Sequence, residues 1–231
     1  MWVQLHRGRR SSANAMNITA AIGDQRFTAL VILARAPELG LVKTRLAADL
    51  GAERTLAVYR HLLAMVAGLA AQWSGPVTLE TTGAESAWLG CGLEHLPRRV
   101  QPAGGLGTRI RAGLEHGLQL APQALIIGTD CPALRLSHLH DVAAGLQTQT
   151  VAFGPAEDGG YWSVGVSTAA VIPLVTAEEL PWSEASLLAV SRQRLAAAGI
   201  GYYLGPTLAD CDTVTDFQQA IAAGVLNAIP E

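Results

Sequence analysis

An α/β fold built on a mostly parallel sheet is what this sequence predicts, and three observations carry that expectation. Two short, unbroken apolar runs rich in β-branched residues, Thr28 to Leu33 and Ala124 to Ile127, read as strands buried on both faces. Each is followed by a loop and then by a helical pattern. With 231 residues, half of them hydrophobic, the chain is long enough to bury the core of one such domain.

Residues 1–26 read differently from the rest. Arg7, Arg9 and Arg10 are followed by Ser, Ala and Asn without the apolar stretch of a signal peptide. They are expected to be a disordered tail, or upstream sequence if Met16 is the true start, leaving 27–231 as a single domain.

Thr28 to Leu33 is expected to be the first strand of the sheet. The loop after it, Ala34 to Arg45, gathers Arg35, Lys43 and Arg45 around Pro37 and Gly40. Three cations in one strand-to-helix loop suit a phosphate, although a solvated basic turn would share the pattern. It is not a Walker A loop, because Val42 precedes Lys43 and Ala34 replaces the first glycine. Glu53 to Ala71 sets Leu56, Tyr59, Leu62, Leu63, Val66 and Leu69 on one helical face. Val77 to Thr82 alternates like a strand. Trp88, Cys91 and His95 read as packing.

Arg99 to Gln101 ends a further strand, before Gly104-Gly-Leu-Gly-Thr-Arg109 and a helix expected from about Ile110. Gly105-x-Gly107 invites a dinucleotide fingerprint, but Ile110 at the third glycine position opposes close helix–strand packing. A backbone-rich loop against a flat or anionic group, with Arg109 pointing into it, fits better.

Asp130 stands at the carboxyl end of the Ala124 to Ile127 strand, where open α/β sheets bind ligands. A divalent cation would partner it. An Asx-turn before Pro132 is the other reading of the same residue. Ser137 is the expected N-cap of a helix to Leu146. His138 and His140, two apart, make a poor metal pair.

A strand from Thr150 to Phe153 leads into Glu157-Asp158-Gly159-Gly160-Tyr161 and a returning strand to Val166. A hairpin explains the glycines. Acids beside aromatics add a surface suited to a polyhydroxylated ligand, with Trp182 nearby in sequence. Ser183 is the expected cap of a helix of about fifteen residues closing at Gly199. Ile200 to Leu204 is the last strand. Thr213 with Asp216 forms a capping box, which leaves Asp212 free to face the sheet's ligand edge.

Charge and cysteine usage narrow the partners. The net charge of −3 with only 15% charged residues gives no basic surface for nucleic acid or an anionic membrane. No apolar run approaches the ~18 residues of a membrane span. Three cysteines without a C-x-x-C pair suit free thiols in the cytoplasm. Cys131 and Cys211 read as packing.

Taken together, Ala34-Arg-Ala-Pro-x-x-Gly-x-Val-Lys-Thr-Arg-Leu46, Gln101-x-x-Gly-x-Leu-Gly-x-Arg109, Gly128-Thr-Asp-Cys-Pro132, Gly154-Pro-x-x-Asp-Gly-Gly-Tyr161 and Asp210-x-Asp-Thr-x-x-Asp216 resemble one bacterial family. It comprises GT-A-fold proteins labelled arsenosugar-biosynthesis-type glycosyltransferases, and is similar in turn to 2-phospholactate guanylyltransferases and sugar nucleotidyltransferases. The resemblance covers nearly all of residues 28–220. Arg35 stands where the family usually has Lys, and Gly105 where Asp is common.

The resemblance implies a three-layer α/β/α sandwich and a cytoplasmic transferase using Mg²⁺ or Mn²⁺. Its substrates would be a nucleotide or nucleotide sugar and a small-molecule acceptor. Asp130 and Asp212 would hold the metal, with Asp130 and Asp158 as the catalytic acids. Arg35, Lys43, Arg45, Gly105, Gly107 and Arg109 would line the nucleotide. Glu157, Gly159, Gly160, Tyr161 and Trp182 would border the acceptor. Glycosyl transfer leads, nucleotidyl transfer is the alternative, and a ligand-binding protein without activity is the third reading. Base, sugar, acceptor and oligomeric state stay open.

Overall fold

In the computed structural model, which describes residues 28–227, the chain builds a seven-stranded sheet around β1 (Thr28–Arg35). After it come α1 (Thr44–Leu50), α2 (Ala52–Gln72), β2 (Val77–Thr82), β3 (Arg98–Val100), α3 (Leu106–Leu120) and β4 (Gln123–Ile127). The second half adds α4 (Leu136–Gly145), β5 (Val151–Pro155), β6 (Tyr161–Val166), α5 (Ile172–Val175), α6 (Leu187–Ala197), β7 (Tyr202–Leu204) and α7 (Val214–Ala222). The tail expected over residues 1–26 lies outside the described residues.

The strand order is β3-β2-β1-β4-β6-β5-β7. Pairing is parallel except at β6, which runs antiparallel to both β4 and β5. Side chains of a strand alternate between faces, and here both faces are apolar. Leu30 and Ile32 of β1, with Leu125 and Ile127 of β4, pack with Tyr59 and Leu63 of α2 and Leu139 of α4. Val31, Ala124 and Ile126 point the other way, to Ile110 and Leu114 of α3 and Leu195 of α6. The result is a mostly parallel sheet between two helical layers. Leu30, Ile32, Leu125 and Ile127 are fully buried, each contributing about 1.5–3 kcal/mol.

A smaller cluster closes one end. Leu46 of α1, Val58 and Leu62 of α2 and Phe217 of α7 pack together around Cys211. It ties the chain's last helix to the loop after β1. Because β1 has β2 on one side and β4 on the other, a crevice opens outside the carboxyl ends of β1 and β4. Among the described residues, no helix is long and apolar enough to cross a membrane.

Three local expectations are corrected, and one helix is added. α3 starts at Leu106 rather than near Ile110, since extended Gly105 caps it and its carbonyl accepts from Arg109 N at 3.2 Å. α4 is capped by Arg135 rather than Ser137, for the Arg135 carbonyl already accepts from His138 N at 3.0 Å. Ser183 does not cap α6. It holds a left-handed conformation (φ 66°) in a turn, and the helix begins at Leu187. α1 was not foreseen: seven residues carry too little periodicity, and its N-cap, Lys43, offers no capping side chain. The capping box stands as read, with Asp216 N donating to Thr213 Oγ1 at 3.3 Å and Thr213 N to Asp216 Oδ2 at 2.7 Å.

Candidate active site

The crevice at the switch point is a cleft of about 650 Å³. Three loops meet there. Tyr59 of α2 pins the end of β1, its hydroxyl donating to Arg35 O at 2.9 Å and accepting from Arg35 N at 3.1 Å. Burial pushes that hydroxyl's pKa up to about 12, so it remains a neutral clamp. The loop after β4 is tied to the approach to α7 by Cys211 N donating to Asp130 O at 2.9 Å. The Asp216 carboxylate fixes that approach, accepting from Asp212 N at 3.0 Å.

These ties bring Asp130 and Asp212 to a shared point, and Lys43 occupies it. Its Nζ lies 2.9 Å from Asp212 Oδ1 and closer still to Asp130 Oδ1. The lysine side chain is 4% exposed, whereas each carboxylate is 49% exposed toward the cleft. Burial alone would lower the lysine pKa. The charges of Asp130 and Asp212 outweigh it and hold the ammonium above the ordinary lysine range.

Asp210 stands behind this pair. Cys131 Sγ donates to its Oδ1 at 2.8 Å. Burial, with Asp158, Asp130 and Asp212 nearby, pushes the Asp210 pKa up to about 6 despite the thiol's hydrogen bond. Cys131 is itself shifted far upward, first by burial and then by Asp210, so its thiol is unreactive.

The opposite wall is built by α3 and β6. The first turn of α3 opens on the cleft at Gly105 and Leu106, with no side-chain cap and no acid in the turn. Such an end offers unpaired N–H groups to an anion. Exposed Arg35 and Arg45 line the cleft beside it, as does Arg109. Tyr161, Trp162 and Trp182 form the aromatic side, the Tyr161 and Trp182 rings meeting edge to face at 6.4 Å. Arg109 Nε, Tyr161 Oη and Ser163 Oγ are buried in this wall without a protein hydrogen-bond partner.

Of the residues expected from sequence, Arg35, Lys43, Arg45, Gly105, Arg109, Asp130, Tyr161, Trp182 and Asp212 all line the cleft. Gly107 lies beneath it, covered by Trp182. Glu157, Asp158, Gly159 and Gly160 form the β5–β6 turn outside the lining, where Asp158 Oδ1 accepts from Gly160 N at 2.8 Å. Sequence reasoning missed Tyr59, Thr129 and Ser163 in the lining. It also gave Gln101 no role, though its amide donates to Glu80 O at 2.7 Å and to Ala34 O at 3.3 Å, bridging β2 and β1 at the cleft floor.

Asp130 and Asp212 offer oxygen donors from two sides of one point already held by a cation, with half of each carboxylate open. That donor set fits Mg²⁺ or Mn²⁺, which take one or two carboxylates and complete their shell with water and substrate phosphate. Among the described residues, no group of three or more His, Cys, Asp or Glu is arranged to hold a metal by itself.

Comparison with solved structures places this architecture. A candidate nucleotide-diphospho-sugar transferase from Desulfovibrio desulfuricans superposes with a TM-score of 0.77 at 24% identity, over 87% of this chain and 88% of that one. The 4-diphosphocytidyl-2C-methyl-D-erythritol synthase of Anaerococcus prevotii matches with a TM-score of 0.55 at 11% identity, over 87% and 99% of the two chains. Rv0371c of Mycobacterium tuberculosis, solved in complex with manganese, matches with a TM-score of 0.53 at 15% identity, over 85% and 98%. No curated protein matches the chain in sequence. The fold is therefore that of the nucleotide-diphospho-sugar transferases, the GT-A type. A family model matches residues 64–184, more than half of the sequence, and on that match the chain belongs to the family described as an uncharacterized protein conserved in bacteria (DUF2064).

Proposed function

We propose that the chain is a cytoplasmic, metal-dependent transferase of the arsenosugar-biosynthesis-type glycosyltransferase kind, moving a glycosyl group from a nucleotide sugar to a small-molecule acceptor. The observation that carries the reading is the pairing of Asp130 with Asp212 at one end of a switch-point cleft whose other wall is aromatic. Bound Mg²⁺ or Mn²⁺, held by those carboxylates, supplies charge neutralisation for a diphosphate leaving group.

The chain's own groups do the rest. The open first turn of α3, with Arg45 and Arg35, binds and orients the diphosphate. Tyr161 and Trp182 cover the apolar face of the sugar, while Tyr161 Oη and Ser163 Oγ hydrogen-bond its hydroxyls. Glu157 and Asp158, exposed on the turn that leads into that wall, would border the acceptor, with Asp158 the catalytic acid candidate.

A second reading, nucleotidyl transfer from an NTP, is favoured by one observation. Arg109 Nε has no protein partner, and a guanidinium in the cleft suits a phosphorylated second substrate. The two chemistries differ in what leaves. Purified protein incubated overnight with Mn²⁺ and a panel of NDP-sugars or NTPs is analysed by chromatography. Nucleoside diphosphate released from an NDP-sugar by wild type, and not by Asp130→Asn, is the expected result. Pyrophosphate from an NTP with a sugar phosphate or phospho-acid, while every NDP-sugar survives, replaces it with the second reading.

A further inference from the structure

Lys43 is the only lysine in the whole chain, beside fifteen arginines. Everywhere else that a cation is needed, the chain places a planar guanidinium. At position 43 alone it places a compact ammonium, the side chain closest in shape to a small spherical ion. Among the described residues, that ammonium is also the one cation sharing two carboxylates, through Asp130 Oδ1 and Asp212 Oδ1.

Two further features bear on what it does. Lys43 holds a left-handed backbone (φ 47°, ψ 49°), a conformation that non-glycine residues seldom adopt. Its carbonyl still accepts from Ala47 N at 2.9 Å and so starts α1, which means the four-carbon stem can swing without unwinding the helix. Lys43 also borders the cleft, together with Arg45 and the first turn of α3. The carboxylate pair and the anion side therefore border one cleft, with Lys43 between α1 and both.

A divalent ion bound by the same two oxygens would stand within a few ångströms of Nζ. Like charges that close, out of bulk water, repel strongly. We infer that Lys43 is a stand-in cation: it neutralises Asp130 and Asp212 in the metal-free protein, and a divalent ion displaces it into the cleft, where it meets the substrate's phosphate. This rests on the reading of Asp130 and Asp212 as the metal carboxylates. Metal and phosphate then bind cooperatively, because the first frees the cation that the second needs. A lysine that merely binds phosphate would not be tucked between carboxylates, and a fixed structural ion pair would leave the reactivity of Lys43 indifferent to a divalent ion.

The single lysine makes the test direct. Full-length protein is treated with limiting N-hydroxysuccinimide acetate, and acetylation of Lys43 is read by mass spectrometry against the N-terminal amine. Without metal, the 4% exposed side chain reacts slowly. Saturating MgCl₂ should accelerate Lys43 acetylation on the order of ten-fold, within the range of ordinary site-to-site coupling. Adding pyrophosphate with the Mg²⁺ should protect it again. In parallel, Mn²⁺ binding is followed by electron paramagnetic resonance in wild type, Asp130→Asn and Lys43→Met. Lys43→Met should bind Mn²⁺ at least as tightly as wild type, and Asp130→Asn much more weakly. If Asp130→Asn loses Mn²⁺ while Lys43 acetylation ignores Mg²⁺, or if Lys43→Met binds Mn²⁺ more weakly than wild type, the displacement is wrong and the metal site stands. If wild type binds no Mn²⁺ at all, the metal reading falls and takes the displacement with it.

Discussion

The Trp182 ring lies against the α-carbon of Gly107, so close that a methyl group there would stand 2.8 Å from Trp182 Cζ2 and 2.9 Å from Thr176 O. The aromatic wall of the cleft thus leans on the first turn of α3, and Trp182 Nε1 locks the arrangement by donating to Ala177 O at 3.0 Å. Gly107→Ala should cost about 1–3 kcal/mol, the usual penalty of overpacking. Chemical denaturation would measure it, and tryptophan fluorescence would report the displaced ring. An unchanged midpoint would mean that the ring can slide aside freely.

Arg45 is exposed and lines the cleft, so its removal should leave the fold alone. A charge-assisted hydrogen bond to phosphate is worth roughly 1.5–3 kcal/mol. Arg45→Ala should therefore weaken nucleoside diphosphate binding by about ten-fold or more, while binding of the parent nucleoside barely changes. Equal weakening of both ligands in a titration would make the loop a structural element only.

Tyr161 and Ser163 should show stability and binding moving in opposite directions. Their hydroxyls are buried without a protein partner, and an unsatisfied buried polar group costs about 1–3 kcal/mol. Tyr161→Phe and Ser163→Ala should each raise the melting temperature of the ligand-free protein and lower its affinity for a nucleotide sugar. A drop in both quantities, or in neither, would remove these hydroxyls from the ligand wall.

Asp216 gives a pH dependence of definite sign. Burial would raise its pKa, but hydrogen bonds from the Thr213 hydroxyl and from the amides of Thr213 and Asp212 outweigh it and hold the carboxyl below the ordinary range. A depressed acid stabilises the fold above its unfolded pKa, and that contribution disappears as pH falls through the folded value. Wild type should thus lose stability below about pH 4, the unfolded aspartate value, and Asp216→Asn should be less stable at pH 7 with a flatter acid limb. Because Asp216 holds the Asp212 amide, the variant should also bind Mn²⁺ more weakly.

The parts legible in the sequence were those written locally. β1 and β4 declare themselves by unbroken apolar runs, and the Thr213–Asp216 box by spacing within one helical turn. Asp130 could be picked out because strand ends mark ligand edges in this fold class. That Asp212 would share its site came only with the family resemblance. That Lys43 would sit between the two carboxylates could not be read at all, since Lys43 and Asp212 arrive from opposite ends of the chain and nothing near Asp130 announces the lysine. Ser163 escaped notice because a serine in an apolar strand reads as a tolerated polar residue until its burial is known. Ser183 misled because a serine after proline and tryptophan imitates a helix cap, while the tight turn there asks for φ above zero.

The reversed direction of β6 sets how this site can diversify. β1 and β4 reach the cleft with their last residues, whereas β6 enters with its first, straight from the short turn after Pro155. Ser163 sits opposite Ile127 on one side and Gly154 on the other. That register is strongly specified, because β6 is buried and paired on both edges. One residue inserted between Asp158 and Tyr161 would therefore be taken up in the turn and leave Ser163 in place. The turn beside the cleft can thus vary in length while the wall keeps the hydroxyls it offers to the ligand.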